Sequence, residues 1–162
     1  MLLFVTIGCV SLSQLQNKDL SFFTVNGRGM SPTIPNNATL IIDNKAYVTD
    51  PPSRGDIVVY TRRPFDKDLF HIKRVVGLPN ETIQIDKQGL IINGEILDEP
   101  YISELARYSG SWVLGDNEYF ILGDNRNDNA DSHLWGAVMV DDILGKAIMI
   151  CTSKQLDSCE DL

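Results

Sequence analysis

The chain has 162 residues, 43% hydrophobic and 22% charged, the balance of a folded globular protein rather than a disordered, collagen-like or multispan membrane chain. With 14 Lys+Arg against 22 Asp+Glu the net charge is -8, and without a basic block the chain is no candidate for nucleic-acid binding. Three Cys, two His and no Cys-x-x-Cys pattern leave neither a disulfide scaffold nor a zinc ligand set, and neither a metal nor a cofactor is called for.

Residues 1–18 form an apolar N-terminal segment whose first charge is Lys18. Its strongly apolar part, Leu2 to Val10, is shorter than the roughly 20 residues of a membrane helix. Three readings stand: the end of a membrane anchor, a signal-like segment with Gly8-Cys9 like a lipoprotein site, or a buried helix or strand. From there the body reads as strands: Leu20–Val25, Thr39–Asp43, Asp56–Thr61, Leu69–Gly77, Thr82–Asp86, Leu90–Ile92, Tyr119–Leu122 and Ile143–Ile150. Asn93-Gly94 is the strongest hairpin signal, because a type I′ turn needs φ > 0 at both central residues. Short helices are expected around Asn44–Val48, Ile102–Arg107 and Val140–Leu144. The tail from 152 to 162 is polar and expected to fray. Cys151 and Cys159 either pair or stay free thiols. The result is an all-β chain of short strands, closed or sandwiched to hide its edges.

Four clusters interrupt the strands without a folding need. They are Asn26 to Thr33, Arg54-Gly55-Asp56, His71 to Pro79, and Gly123 to Gly136. The last sets Asp124, Arg126, Asp128, Asp131 and His133 beside Trp135, a charge density that suits a buried salt-bridge web around a site. Lys73 lies between Ile72 and Val75-Val76. Buried there, its charged form is disfavoured and it becomes a base; on the outer face of an edge strand it is an ordinary solvated Lys.

In this order and at these spacings the clusters resemble the boxes of type I signal peptidases, membrane-anchored endopeptidases that use a Ser nucleophile and a Lys base. Gly27-Arg28-Gly29-Met30-Ser31-Pro32-Thr33-Ile34 is similar to the first box, Gly55-Asp56-Ile57-Val58-Val59 to the second, and Ile72 to Pro79 to the third. Gly123-Asp124-Asn125-Arg126, Asp131-Ser132, Trp135 and Gly136 match the fourth. The resemblance spans roughly residues 20–150. It implies an antiparallel β catalytic domain over 19–79 and 119–151, with a small inserted β lobe over 80–118. It further implies signal peptides of exported preproteins as partners, bound as an added strand, and a membrane-associated protein with this domain on the outer face. Lys73 is the implied general base, and residue 29 the nucleophile position and oxyanion N–H donor. Phe23, Val25, Met30, Ile34, Leu40 and Ile72 would line the pockets for small side chains before the cleavage point. Arg74, Asp124, Arg126 and Asp131 would form a structural ionic cluster under the site.

Two positions depart from the pattern, both around the lysine. Gly29 has no side chain to attack a carbonyl, and Asn129 stands where the family has a Ser that bonds the Lys ammonium. Ser31 is a poor substitute nucleophile: two residues along an extended chain displace it by about 6.5 Å. Asn129 is expected within hydrogen-bond reach of Lys73, and Gly29→Ser alone is expected to restore the missing oxygen. Three functions follow: a signal peptidase with Gly29 at its nucleophile position, a non-catalytic pseudopeptidase that binds signal peptides or a membrane partner, or a self-cleaving repressor-like relative. The third and fourth boxes argue against the last.

Overall fold

The computed structural model describes residues 19–62, 66–152 and 158–162. The expectations for residues 1–18 therefore lie outside the described residues. Among the described residues, twelve strands form two antiparallel sheets.

The larger sheet is built from β1 (Leu20–Thr24), β2 (Thr39–Asp43), β3 (Ile57–Arg62), β4 (Asp66–Gly77), β9 (Glu118–Leu122), β10 (Val138–Met139) and β11 (Ile143–Cys151). Their order is β1-β2-β11-β3-β4-β9-β10, and β12 (Cys159–Asp161) adds to β11. Alternation along β3 explains why this sheet has two apolar faces. Ile57 and Val59 join Val25, Met30, Ile34, Leu40, Ile42, Ile72, Ala147 and Ile150 in one core, and Val58 and Tyr60 join Val75, Tyr119, Ile121 and Val138 in another.

The smaller sheet is β5 (Thr82–Asp86), β6 (Gly89–Ile92), β7 (Glu95–Ile96) and β8 (Gly110–Val113), in the order β7-β6-β5-β8. Ile83 and Ile85 alternate inward with Leu90 and Ile92, and pack on Val76, Phe120 and Leu122 of the main sheet. The Asn93-Gly94 turn joins β6 to β7 with φ of 52° and 90°. Only a side chain as tolerant as Asn, followed by Gly, takes both values cheaply.

Four local expectations need correction. Ile102–Arg107 is not helical: Arg107 N–H donates to Asn127 Oδ1 at 2.8 Å, and Asn127 Nδ2 donates to the Leu105 carbonyl at 3.0 Å. Those backbone groups are spent on the other lobe, so tertiary contact overrides helix propensity. Around Asn44–Val48 only tight turns form, and Val140–Leu144 shrinks to a 3-10 turn over Val140–Asp142. The tail does not simply fray. Cys151 and Cys159 are disulfide-bonded opposite each other in register, and that link holds β12 on the sheet. The one α-helix among the described residues, α1 (Ser132–Trp135), is a single turn capped by the Asp131 carboxylate.

Candidate active site

The site forms where the turn after β1 meets β4 and the loop after β9. The Gly29 carbonyl accepts from Asn125 N–H at 3.1 Å and from Asn129 Nδ2 at 2.7 Å, so the first and fourth clusters are tied directly together. The second and third are joined by a reciprocal backbone pair, Gly55 N–H to the Val75 carbonyl and Val75 N–H to the Asp56 carbonyl, both 2.8 Å. The Arg74–Asp124 pair then links the third to the fourth, so all four clusters converge.

A cavity of about 190 Å³ opens at this junction, lined by Phe23, Val25, Asn26, Gly27, Gly29, Met30, Phe70, His71, Ile72 and Lys73. Lys73 and Gly29 therefore face one space. Lys73 is 9% exposed, and its ammonium donates to its neighbour's carbonyl, Ile72 O, at 3.1 Å. Burial pushes its pKa below the ordinary 10.5, and the carboxylates of Asp131 and Asp124 offset part of that. The buried reading of Lys73 thus prevails over the edge-strand one. Ser31 is not among the cavity-lining residues.

Of the six residues expected to line substrate pockets, Phe23, Val25, Met30 and Ile72 line this cavity. Ile34 and Leu40 are each 0% exposed, share a core with Val25 and Met30, and are not among the residues lining this cavity. Asn26, Gly27, Phe70 and His71 line the cavity as well, outside the expected set. Phe70 precedes the third cluster on β4, and the alternation of that strand, with Phe70 and Ile72 on one face, is the signal that leads to it. Next to this cleft lies an apolar hollow of about 280 Å³ lined by Ser21, Phe22, Phe23, Ile42, Asn44, Val59, Phe70 and Leu144.

The ionic cluster divides into separate pairs. Arg74 Nε and Nη2 bind Asp124 at 2.8 and 2.7 Å, and the Thr33 hydroxyl also donates to that carboxylate. Arg126 does not join them; it turns to Glu99 of the inserted lobe in a buried bidentate pair, one arm of it 2.7 Å. Tyr101 connects the two, donating to Glu99 at 2.7 Å while its ring lies under the Arg74 guanidinium, 4.1 Å away. Asp131 accepts from Gly123 N–H at 2.9 Å and pairs with His133 Nδ1 at 2.6 Å. Glu99 escapes a reading of the sequence because it stands in an irregular stretch, Leu97-Asp98-Glu99-Pro100, with no periodicity to announce burial.

Asn129 also departs from expectation. Its amide donates to the carbonyls of Gly29 and Asn125, and no hydrogen bond joins it to Lys73. A Cβ built on Gly29 would fall well inside 3.0 Å of Asn129 Oδ1.

The site is thus an antiparallel β scaffold with an inserted β lobe, and a small cleft that brings a buried lysine beside a Gly-rich turn. The family described as signal peptidase, peptidase S26, matches residues 1–152. A signal peptidase I from Leptolyngbya laminosa is 38% identical over 133 residues, covering 77% of this chain and 65% of that protein. A probable signal peptidase I-2 from Synechocystis is 39% identical over 125 residues, 74% of this chain and 57% of that protein. A signal peptidase I P from Bacillus subtilis subsp. natto is 33% identical over 153 residues, 87% and 81% of the two chains. The chain thus spans less than two thirds of the Leptolyngbya laminosa protein and of this Synechocystis protein. A crystal structure of a signal peptidase I from Enterococcus faecalis superposes with a TM-score of 0.54 at 27% identity, covering 60% of this chain and 97% of that one. The chain belongs to the signal peptidase S26 family.

Proposed function

We propose that this chain binds signal peptides of exported preproteins at the surface of a membrane, and that as it stands it does not cleave them through an acyl-enzyme. The observation that carries the reading is Gly29 sharing a cleft with buried Lys73. The binding half of a signal peptidase is kept and the attacking oxygen is absent.

The cleft suits such a ligand. Its volume of about 190 Å³ is below the roughly 300–1,000 Å³ of drug-sized pockets, so it fits small side chains of an extended chain rather than a whole cofactor. Strand β1 ends the larger sheet among the described residues and places Phe23 in the cleft, so an extended peptide alongside it adds main-chain hydrogen bonds. Phe22 and Phe70, 61% and 54% exposed, border the neighbouring apolar hollow and favour docking against lipid. The Cys151–Cys159 disulfide suits an oxidising compartment, in keeping with an outer-face location. No helix among the described residues is long and apolar enough to cross a membrane.

In a working member, the lysine takes the proton of a Ser hydroxyl at position 29 and later activates the deacylating water. The backbone N–H of residue 29 donates to the oxyanion. Here Lys73, with its proton affinity lowered by burial, retains the base, and Gly29 retains the N–H. No covalent bond to the peptide can form at a glycine.

The test is a titration of the purified chain with a fluorescent signal peptide ending in Ala-x-Ala, followed by anisotropy. Saturable binding, lost when both small residues are replaced by Lys, is the expected result. Equal binding of both peptides, or of neither, would refute the reading.

A further inference from the structure

We propose that Gly29 and Asn129 are one matched unit: the Asn129 carboxamide fills the volume that a nucleophile's side chain would need, so the site is closed by two residues rather than by one missing hydroxyl.

The geometry is tight on three sides. Asn129 Nδ2 donates to the Gly29 carbonyl at 2.7 Å and also to the Asn125 carbonyl, which holds the amide plane in place. Its Oδ1 then stands well inside 3.0 Å of where a Cβ on Gly29 would lie, with Cγ at 3.2 Å and Nδ2 at 3.5 Å. On the far side, a Cβ on Gly123 would collide with Asn129 Nδ2 and with the Gly29 carbonyl, again well inside 3.0 Å. The amide is thus clasped between two residues without side chains. Carbon and oxygen atoms in contact keep about 3.5 Å apart, so a side chain at 29 and this placement of Asn129 exclude each other.

The consequence for chemistry rests on the signal-peptidase reading of the site. Gly29→Ser alone brings back an oxygen but not the room for it. Either the new hydroxyl is displaced from Lys73, or the Asn129 carboxamide must shift and strain its bonds to the Gly29 and Asn125 carbonyls. A short residue at 129 removes the conflict. Asn129 is therefore a positioning residue, acting on the cleft through residue 29.

Two readouts separate this pairing from the function it serves. The first needs no substrate. Gly29→Ala adds only the Cβ, and is expected to lower Tm by about 2–4 °C, the low end for overpacking, because the overlap falls on the end of a side chain. In an Asn129→Ala background the same change is expected to cost half of that or less. Equal costs in both backgrounds, or failure of Gly29→Ala/Asn129→Ala to fold, would overturn the pairing, because something other than Asn129 would then exclude the side chain. The second is cleavage of a preprotein ending in Ala-x-Ala. Gly29→Ser is expected to leave the protein inactive, and Gly29→Ser/Asn129→Ser to exceed it by on the order of 100-fold, the scale of restored base catalysis. Gly29→Ser cutting as fast as the double variant would overturn the proposal. Thermal coupling with no signal-peptide binding by any variant would uphold the pairing and overturn the signal-peptide reading instead.

Discussion

Asp124→Asn isolates the electrostatic frame under the site. The carboxylate has no solvent-exposed side-chain surface and receives both Arg74 Nε and Nη2, with Arg74 itself 11% exposed. An amide keeps the shape but puts an N–H against one of two guanidinium donors and removes the negative charge. Stranding one member of a buried ion pair costs about 3–5 kcal/mol. Arg74 keeps three other partners, the Gly55 carbonyl at 2.9 Å, the Thr33 hydroxyl at 3.5 Å and the Tyr101 ring, which places the loss at the lower end, about 3 kcal/mol. For a chain of this length each kcal/mol moves Tm by about 2–4 °C, so the expected fall is about 6–12 °C by calorimetry. The double variant Arg74→Met/Asp124→Leu should recover part of the loss, because neither partner is left charged. The exposed Arg107–Glu104 pair provides the contrast: Glu104→Gln should leave Tm unchanged. A Tm for Asp124→Asn within about 2 °C of the native chain would mean that Arg74 does not depend on this carboxylate, and the frame would have to be held otherwise.

Lys73→Met tests the buried ammonium. Burial lowers the folded-state pKa below 10.5, so between that value and 10.5 the unfolded chain binds more protons and stability rises with pH. The variant lacks this rise; the native-minus-variant difference in Tm should grow as pH climbs through the window, and a flat difference would place the amine in water. Cys159→Ser opens a loop of sequence separation 8, which the chain-entropy relation values at about 2.5 kcal/mol. Tm should fall by about 5–10 °C, and an unchanged Tm would show that the link does not hold β12. Gly94→Ala forces an alanine to φ of 90° and should cost about 1 kcal/mol by urea denaturation; no cost would mean that the turn relaxes.

The four clusters and the strand pattern are legible in the sequence because each is local. Alternation in Thr82–Asp86 and the Asn93-Gly94 turn specify a hairpin from a few residues. What escapes depends on partners far along the chain. Glu99 is buried against Arg126, 27 residues on. Ile102–Arg107 reads as helical, yet Asn127 takes its backbone groups. At the site, the chemistry at 29 and 129 is readable as two separate departures. That they collide is not, since it follows from a backbone approach that brings Asn129 within hydrogen-bond distance of a residue 100 positions earlier. Resemblance draws Ile34 and Leu40 toward the pocket, whereas the structure sets them in the core and outside the lining of the cavity.

Whether this site holds a signal peptide without cutting it is decided most directly by intact-mass analysis. The unaltered chain is incubated with a preprotein ending in Ala-x-Ala, and the complex is recovered on lipid vesicles. Full-length preprotein should be recovered bound, with no mature fragment and no mass added to the chain. A mature fragment cut after Ala-x-Ala, lost on Lys73→Ala, would show instead that the site cleaves without a side chain at position 29.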